Sequence, residues 1–359
     1  MNRVYNFSAG PAAMPEPALA RAAAEMLDYN GTGVSVMEMS HRSKMYLEIY
    51  DRVVAQMKDL MNVPDDYAVL MLQGGAMGQF SAIPMNLMTT SGKADYVDSG
   101  NFAHVALVEA QKYGEVNTVA SSREGGYTRV PDVDPAKLTA DADYLYICTN
   151  NTIYGTRYTE LPKSNAPLVA DMSSNILSEV YDVSQFGLIF AGAQKNIGPA
   201  GLTVVIVRKD LAGNAMPLTP RIMDYALQIK NDSMLNTPST YSIYMAGLCM
   251  DWLKEQGGVR AMEQINIAKS NLIYDYLDGS KLFTGVAETA WRSRMNVTFR
   301  TNDEEKDAAF IKFAQANGLI NLKGHRAVGG IRASIYNAMP VEGVEALVGC
   351  MKQFEANNA

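Results

Sequence analysis

Cysteine is nearly missing from this 359-residue chain: Cys148, Cys249 and Cys350 are far apart, and no CxxC pair occurs. That pattern excludes a disulfide framework and a zinc site, and leaves three reduced thiols. Histidine is as scarce, at His41, His104 and His325. Long apolar runs are missing too. LTVVIV, between Gly201 and Arg208, is only six residues long, whereas a helical span of a bilayer takes roughly 20. The opening MNRVYNFSAGPAAMPEP holds no apolar core of signal-peptide length. Excess positive charge is absent: the net charge is −7, with no basic arm or stripe, which argues against nucleic-acid binding. The expectation is a cytoplasmic protein that works on small molecules, with no membrane, nucleic-acid or metal partner.

The composition is that of an ordinary globular protein, 48% apolar and 19% charged, and the length suits a large domain and a smaller one. Pro15 opens a helix expected over residues 15–30, with proline in the first turn, where its missing N–H costs little. Met45, Ile49, Val53, Met57 and Leu60 recur at helical spacing and predict a second helix over 43–61. Short apolar runs then alternate with helical segments. They predict strands at 67–72, 94–97, 116–120, 144–148, 168–170, 188–190 and 202–207. Several are near-continuous in Val, Ile and Leu, which suits a mostly parallel sheet buried on both faces. Residues 239–271 read as long helix with a Gly257-Gly258 break, followed by a strand (293–300), a helix (303–316), a strand (331–336) and a last helix (341–354). The expected division is a large α/β domain, residues 14–254, and a small α+β domain, residues 1–13 with 255–359.

Ligands of α/β sheets bind beyond the carboxyl ends of the strands, and five such ends carry chemistry here. Gln73-Gly74-Gly75-Ala76-Met77 offers backbone N–H groups where a helix begins, a place for a phosphate. Asp98-Ser99-Gly100-Asn101-Phe102 offers an aromatic face, Thr149-Asn150-Asn151-Thr152 hydroxyls, Asp171 a carboxylate and Lys195 an amine. Taken singly, each has a bland reading: a glycine turn, an N-cap, a solvated cation. Together they match the needs of pyridoxal 5′-phosphate: phosphate donors, a stacking ring, a donor for the ring oxygen, a carboxylate for the pyridine nitrogen and an amine for the aldehyde. The pairs His41-Arg42 and His325-Arg326 suit a further phosphate, whereas His104 has no such companion and is expected simply to pack on a helix. Arg332 either holds an α-carboxylate or forms an internal salt bridge.

The stretches NFSAGPAAMP, SVMEMSHRSK, LQGGAMGQFSAIPMN, CTNNTIYGT, VADMSSN, AGAQKNIGPAG, LNTPSTYSIYM and KGHRAVGGIRASIYNAMP run nearly end to end. Through them the chain resembles the class-V-type members of the aspartate-aminotransferase-like, fold type I pyridoxal-phosphate enzymes. The resemblance implies that Lys195 bonds the cofactor covalently, that Asp171 pairs with its ring nitrogen, that Thr152 lies near the ring oxygen and that Phe102 lies over the ring. It implies that Ala76, Met77 and Gln194 hold the cofactor phosphate, and that Asn236 and Thr237 reach it from the other subunit of a homodimer. It assigns the substrate phosphate to His41 and Arg42 of the partner chain with His325 and Arg326, and the α-carboxylate to Arg332. The implied reaction is ping-pong transamination between L-glutamate and 3-phosphohydroxypyruvate, with a second substrate in pyridoxine biosynthesis. Two positions depart from many or some relatives: Phe102 replaces a tryptophan and Met77 an arginine.

Overall fold

A computed structural model of the chain describes residues 3–358. Seven strands form its main sheet: β1 Tyr67–Leu72, β2 Lys93–Asp98, β3 Glu115–Ser121, β4 Leu145–Cys148, β5 Leu168–Asp171, β6 Leu188–Gly192 and β7 Thr203–Arg208. Their order is β1-β7-β6-β5-β4-β2-β3, parallel except for β7, which runs antiparallel to both neighbours. The sheet is thus the mostly parallel, seven-stranded one that the apolar runs predict.

Both faces of this sheet are covered, and the strand period shows it. Val69, Met71, Val204 and Ile206 point into one apolar cluster, and Leu70, Leu72, Val205 and Val207 into the other. The first face is packed by α1 (Glu16–Ala24), α2 (Lys44–Met61) and α6 (Thr240–Glu255), the second by α3 (Gly75–Leu87), α4 (Asn101–Ala110) and α5 (Tyr225–Lys230). Wholly buried side chains of this kind contribute about 1.5–3 kcal/mol each. Local signals set the ends of α2: the Ser43 hydroxyl accepts the Tyr46 N–H at 3.3 Å, and Asn62 closes the helix in a left-handed conformation. Helix α1 stops at Ala24, short of the expected residue 30. Leu27 is 84% exposed, so no apolar face continues, and Asn30 at φ 51° cannot extend a helix.

A third cluster surrounds a three-stranded antiparallel sheet of β8 (Thr284–Gly285), β9 (Asn296–Arg300) and β10 (Ile331–Ser334), covered by α8 (Glu304–Ala316) and α9 (Val341–Asn358). Residues 5–6 join it by pairing in parallel with 319–320. Helix α7 (Gly258–Gly279) serves both bodies: Val259 and Met262 pack in the large core, Ile273 and Leu277 in the small one. Strand β10 ends two residues before the sequence pattern suggests, because the carbonyls of Ile335 and Tyr336 turn toward Lys269.

Lys269, on α7, is wholly buried, and its ammonium donates to the carbonyls of Ile335, Tyr336 and Met339 at 3.0, 2.9 and 3.0 Å. Burial lowers its pKa from 10.5 to about 7. Between those values the unfolded chain binds the extra proton, so this group makes the folded state more stable as pH rises from 7 toward 10.5. Lys269→Met leaves the Ile335 and Met339 carbonyls without this donor, while the Tyr336 carbonyl keeps the Met339 N–H, and should destabilise the fold by roughly 3 kcal/mol. In denaturant titrations at a series of pH values, the variant should also lose part of the wild-type rise in stability above neutral pH.

Candidate functional site

The carboxyl ends of β2, β4, β5 and β6 open on a cavity of about 250 Å³, lined by Phe102, Cys148, Thr152, Asp171, Gln194, Lys195, His325 and Arg332 among others. A larger groove, about 870 Å³, lies between the N-terminal segment and helices α6 and α7, but none of these groups lines it. The smaller cavity carries the chemistry.

Lys195 stands in the turn between β6 and β7. Its Nζ donates to the Thr152 hydroxyl at 2.9 Å and lies 5.8 Å from the centre of the Phe102 ring. Burial pushes its pKa down; the Asp171 charge opposes that shift and the Arg332 charge adds to it. Asp171 closes β5, beside Cys148 of β4 and Phe190 of β6. It is buried, which raises its pKa, while the Ser173 hydroxyl, the Lys195 charge and the Ser173 N–H, donating to Oδ1 at 2.8 Å, pull it back. The amine thus gives up its proton more readily than a surface lysine, and the carboxylate lacks a close cationic partner.

The other groups surround this pair. The Thr152 carbonyl accepts from Arg332 Nη1 at 3.3 Å. Arg332 lies on β10, is only partly accessible and forms no ion pair among the described residues, so the salt-bridge reading of this arginine is not realised. His325 Nδ1 accepts the Ala327 N–H at 3.2 Å, and burial, then the Arg332 and Arg326 charges, lower its pKa. In the neutral ring the proton is therefore on Nε2. Gly74 and Gly75 have φ of 100° and 63°, which turns the chain into α3, and Gly78 donates the first intrahelical bond. The N–H groups of Ala76 and Met77 precede it and have no acceptor within the helix.

The cavity thus brings together Ala76, Phe102, Thr152, Asp171, Gln194, Lys195, His325 and Arg332. It does not bring in His41, Arg42, Met77, Asn236, Thr237 or Arg326 from the same chain. Met77 is 60% exposed. Gln73 Nε2 donates to the Thr237 carbonyl, and Asn236 Nδ2 to Gln73 Oε1, both at 3.4 Å, beside a different pocket. His41 Nε2 is buried without a partner. His104 lies on α4, as expected, and tertiary contacts bring Arg123 Nη1 3.0 Å from its Nε2 and Asp98 3.5 Å from its Nδ1.

Several lining residues are given no role of their own by a residue-by-residue reading of the sequence. Asn150 donates to the Ser174 hydroxyl and to Asn296 Oδ1, both at 2.9 Å, and so ties the Thr152 segment to β9. The Ser173 hydroxyl accepts the Gly192 N–H at 3.1 Å and ties β6 to the Asp171 turn. Both stand within two residues of a group singled out above, which is the signal that could have found them. Ala9 and Gly10 line the cavity from the far N-terminus and carry no such signal.

Comparison with known proteins places the chain in a family. The aminotransferase class-V family model matches residues 4–347, and the chain belongs to that family. Its relatives narrow the assignment. A phosphoserine aminotransferase of Bacillus cereus is 54% identical over 359 residues, covering 100% of both chains. The structure of phosphoserine aminotransferase from Bacillus circulans subsp. alkalophilus superposes with a TM-score of 0.96 at 44% identity, covering 99% of each chain. A PLP-bound phosphoserine aminotransferase from Trichomonas vaginalis superposes with a TM-score of 0.92 at 40% identity, covering 98% of this chain and 100% of that one. Within the class-V aminotransferases, the chain is a member of the phosphoserine aminotransferase family.

The opposed influences on Lys195 give a test that needs no ligand. Asp171→Asn removes the charge that supports the ammonium, so the Lys195 amine should lose its proton at lower pH. Competitive amine labelling of the cofactor-free protein across a pH series, read by peptide mapping, should show Lys195 reacting at lower pH in the variant than in the wild type.

Proposed function

We propose that the protein catalyses phosphoserine transamination with pyridoxal 5′-phosphate: L-glutamate leaves as 2-oxoglutarate, and 3-phosphohydroxypyruvate leaves as O-phospho-L-serine. The single observation that carries this reading is the Lys195 amine with lowered proton affinity, bonded to Thr152 and facing buried Asp171, in a cavity that also holds the unpaired Arg332. The residues fit the cofactor: a carboxylate without a close cationic partner, an aromatic face, free N–H groups at a helix start and an amine share one cavity. Two catalytic parts are assigned, to Lys195 and Asp171.

Pyridoxal phosphate supplies, when bound, an aldehyde that exchanges amino groups and a ring that draws electrons from the substrate Cα. Lys195 would hold the aldehyde carbon and, once displaced, use its neutral amine to take the Cα proton and deliver it to that same cofactor carbon, C4′. Asp171 would keep a proton on the ring nitrogen; burial makes that contact strong because little water competes for it. Thr152 would hold the ring oxygen and Phe102 the ring face. Ala76, Met77 and Gln194 would take the phosphate, and Asn236 and Thr237 would reach it from a second copy of the chain.

Arg332 would grip the substrate α-carboxylate with two parallel hydrogen bonds. His325 and Arg326, together with His41 and Arg42 of the second copy, would take the distal anion. These donors suit a phosphate and a γ-carboxylate alike, which gives both half-reactions one site. That His41, Arg42, Asn236 and Thr237 miss the cavity of their own chain supports a homodimer with shared sites. The same reading extends to 3-hydroxy-2-oxo-4-phosphooxybutanoate, giving 4-phosphohydroxy-L-threonine in pyridoxine biosynthesis, and to a cytoplasmic enzyme. It also takes residues 14–254 as the large domain, and 1–13 with 255–359 as a small domain that closes over the substrate.

Borohydride treatment of protein incubated with pyridoxal phosphate should tag Lys195 and no other lysine, and Lys195→Ala should abolish both tag and turnover. A tag elsewhere would refute the assignment. His325→Ala should raise KM for 3-phosphohydroxypyruvate by the loss of a charge-assisted contact of about 1.5–3 kcal/mol, roughly 10- to 150-fold.

A further inference from the structure

Outside the three main cores lies one small apolar cluster, in which buried Tyr127, Ile153 and Tyr154 pack with partly buried Val328. Three distant parts of the chain meet there: the turn after β3, the segment that carries Thr152, and the loop between residues 322 and 331. We propose that Tyr127, Ile153 and Tyr154 form a platform on which Val328 seats the His325 loop, making Tyr127 and Val328 positioning residues for the distal anion of the substrate. The inference rests on the reading above that His325 binds that anion.

The loop behaves as a closed unit. Gly324 donates to the Gly330 carbonyl at 2.9 Å, and the N–H groups of Val328 and Gly329 both donate to the His325 carbonyl, at 2.9 and 2.8 Å. Together with the Ala327 N–H on His325 Nδ1, these bonds tie the imidazole to the residues that follow it. The closure is tight: a Cβ on Gly324 would lie 1.9 Å from the Gly329 oxygen. A unit of this kind moves as a whole, so the place where it is anchored sets where the imidazole points. His325 and Arg326 are polar, Ala327 is exposed, and Val328 is the loop side chain that packs into an apolar cluster.

The platform is itself fixed. The rings of Tyr127 and Tyr154 are 4.7 Å apart at a tilt of 49°. The Tyr127 hydroxyl donates to buried Asp98 at 2.9 Å, the Tyr127 N–H donates to the Ser122 carbonyl, and Ser121 donates to the other Asp98 oxygen at 3.1 Å. Asp98 lies at the end of β2, just before the turn into α4 and Phe102. Ile153 follows Thr152, the partner of Lys195. The platform therefore references the loop to the sheet edge that places Thr152 and Phe102, and Tyr127 does so from outside the cavity.

The test compares substrates with and without a distal anion. In the loaded enzyme, Val328→Ser and Tyr127→Ala should raise KM for 3-phosphohydroxypyruvate about 5- to 20-fold with kcat largely kept. Turnover of L-alanine, which has no distal anion, should be unchanged. Tyr127→Phe keeps the ring contacts but loses the Asp98 bond, and should raise KM less than Tyr127→Ala does. Val328→Ser combined with His325→Ala should be no worse than His325→Ala alone, because the anchor acts only through the imidazole. If Tyr127→Ala fails to fold, Val328→Ser decides. An unchanged KM in Val328→Ser alongside a raised KM in His325→Ala would overturn this inference and leave the site assignment intact, as would equal losses with L-alanine or additive losses in the double variant. An unchanged KM in His325→Ala would overturn the assignment of His325, and this inference with it.

Discussion

The interaction on which the site depends is the opposed pull on one amine. Burial alone would leave Lys195 neutral and Asp171 protonated, because a low-dielectric cavity disfavours either charge. Each group's charge offsets part of that effect on the other. The lysine therefore holds its proton less tightly than a surface lysine, while its charge offsets part of the rise that burial imposes on Asp171. A surface lysine would hold its proton, and a carboxylate locked in a close ion pair would have no capacity left for a ring nitrogen. The arrangement exists because adjacent strand ends place the two groups in one cavity, and the buried sheet beneath keeps them there.

That cavity is built jointly by two bodies. Arg332 comes from β10 of the smaller body and touches the Thr152 carbonyl. Asn337 donates its N–H to the side chain of Asn196, the neighbour of Lys195, at 3.0 Å, and the Tyr336 hydroxyl donates to the Ala9 carbonyl at 2.8 Å. Lys269 gathers the carbonyls of the same turn from behind. One short segment, from Arg332 to Met339, thus carries the proposed carboxylate grip, the contact to the lysine turn and the ammonium cage. If Arg332 grips the substrate as proposed, the same segment would link that grip to the turn beside Lys195.

Much of this was legible in the sequence, for reasons that can be named. The seven main strands are buried on both faces, so their apolar runs are nearly unbroken and stand out, and the groups after them fall at the sheet edge by topology alone. Where elements end was less visible. Helix α1 stops when its apolar face does, and β10 stops where a lysine on another helix captures its carbonyls; neither cause is local. His104 gained Asp98 and Arg123 as partners through tertiary contacts that no sequence spacing encodes. Ala9 and Gly10 join the site from the opposite end of the chain. The stretches from NFSAGP to KGHRAVGG made the site residues recognisable as a set and implied that His41, Arg42, Asn236 and Thr237 act from the other subunit.

The cavity is also an unbalanced electrostatic object. Arg332 has no carboxylate partner, His325 is held neutral beside it, and the N–H groups at the start of α3 have no acceptor in their helix. Leaving donors unanswered costs folding free energy, and here they converge on a space the protein does not fill. An anion entering that space meets donors that are already oriented, so little is lost in rearranging them. The free energy withheld from the fold would appear instead as affinity for anions, and by linkage a bound anion would stabilise the folded chain. On the proposed reading, this is why one set of donors would serve two substrates that share little except the positions of their negative charges.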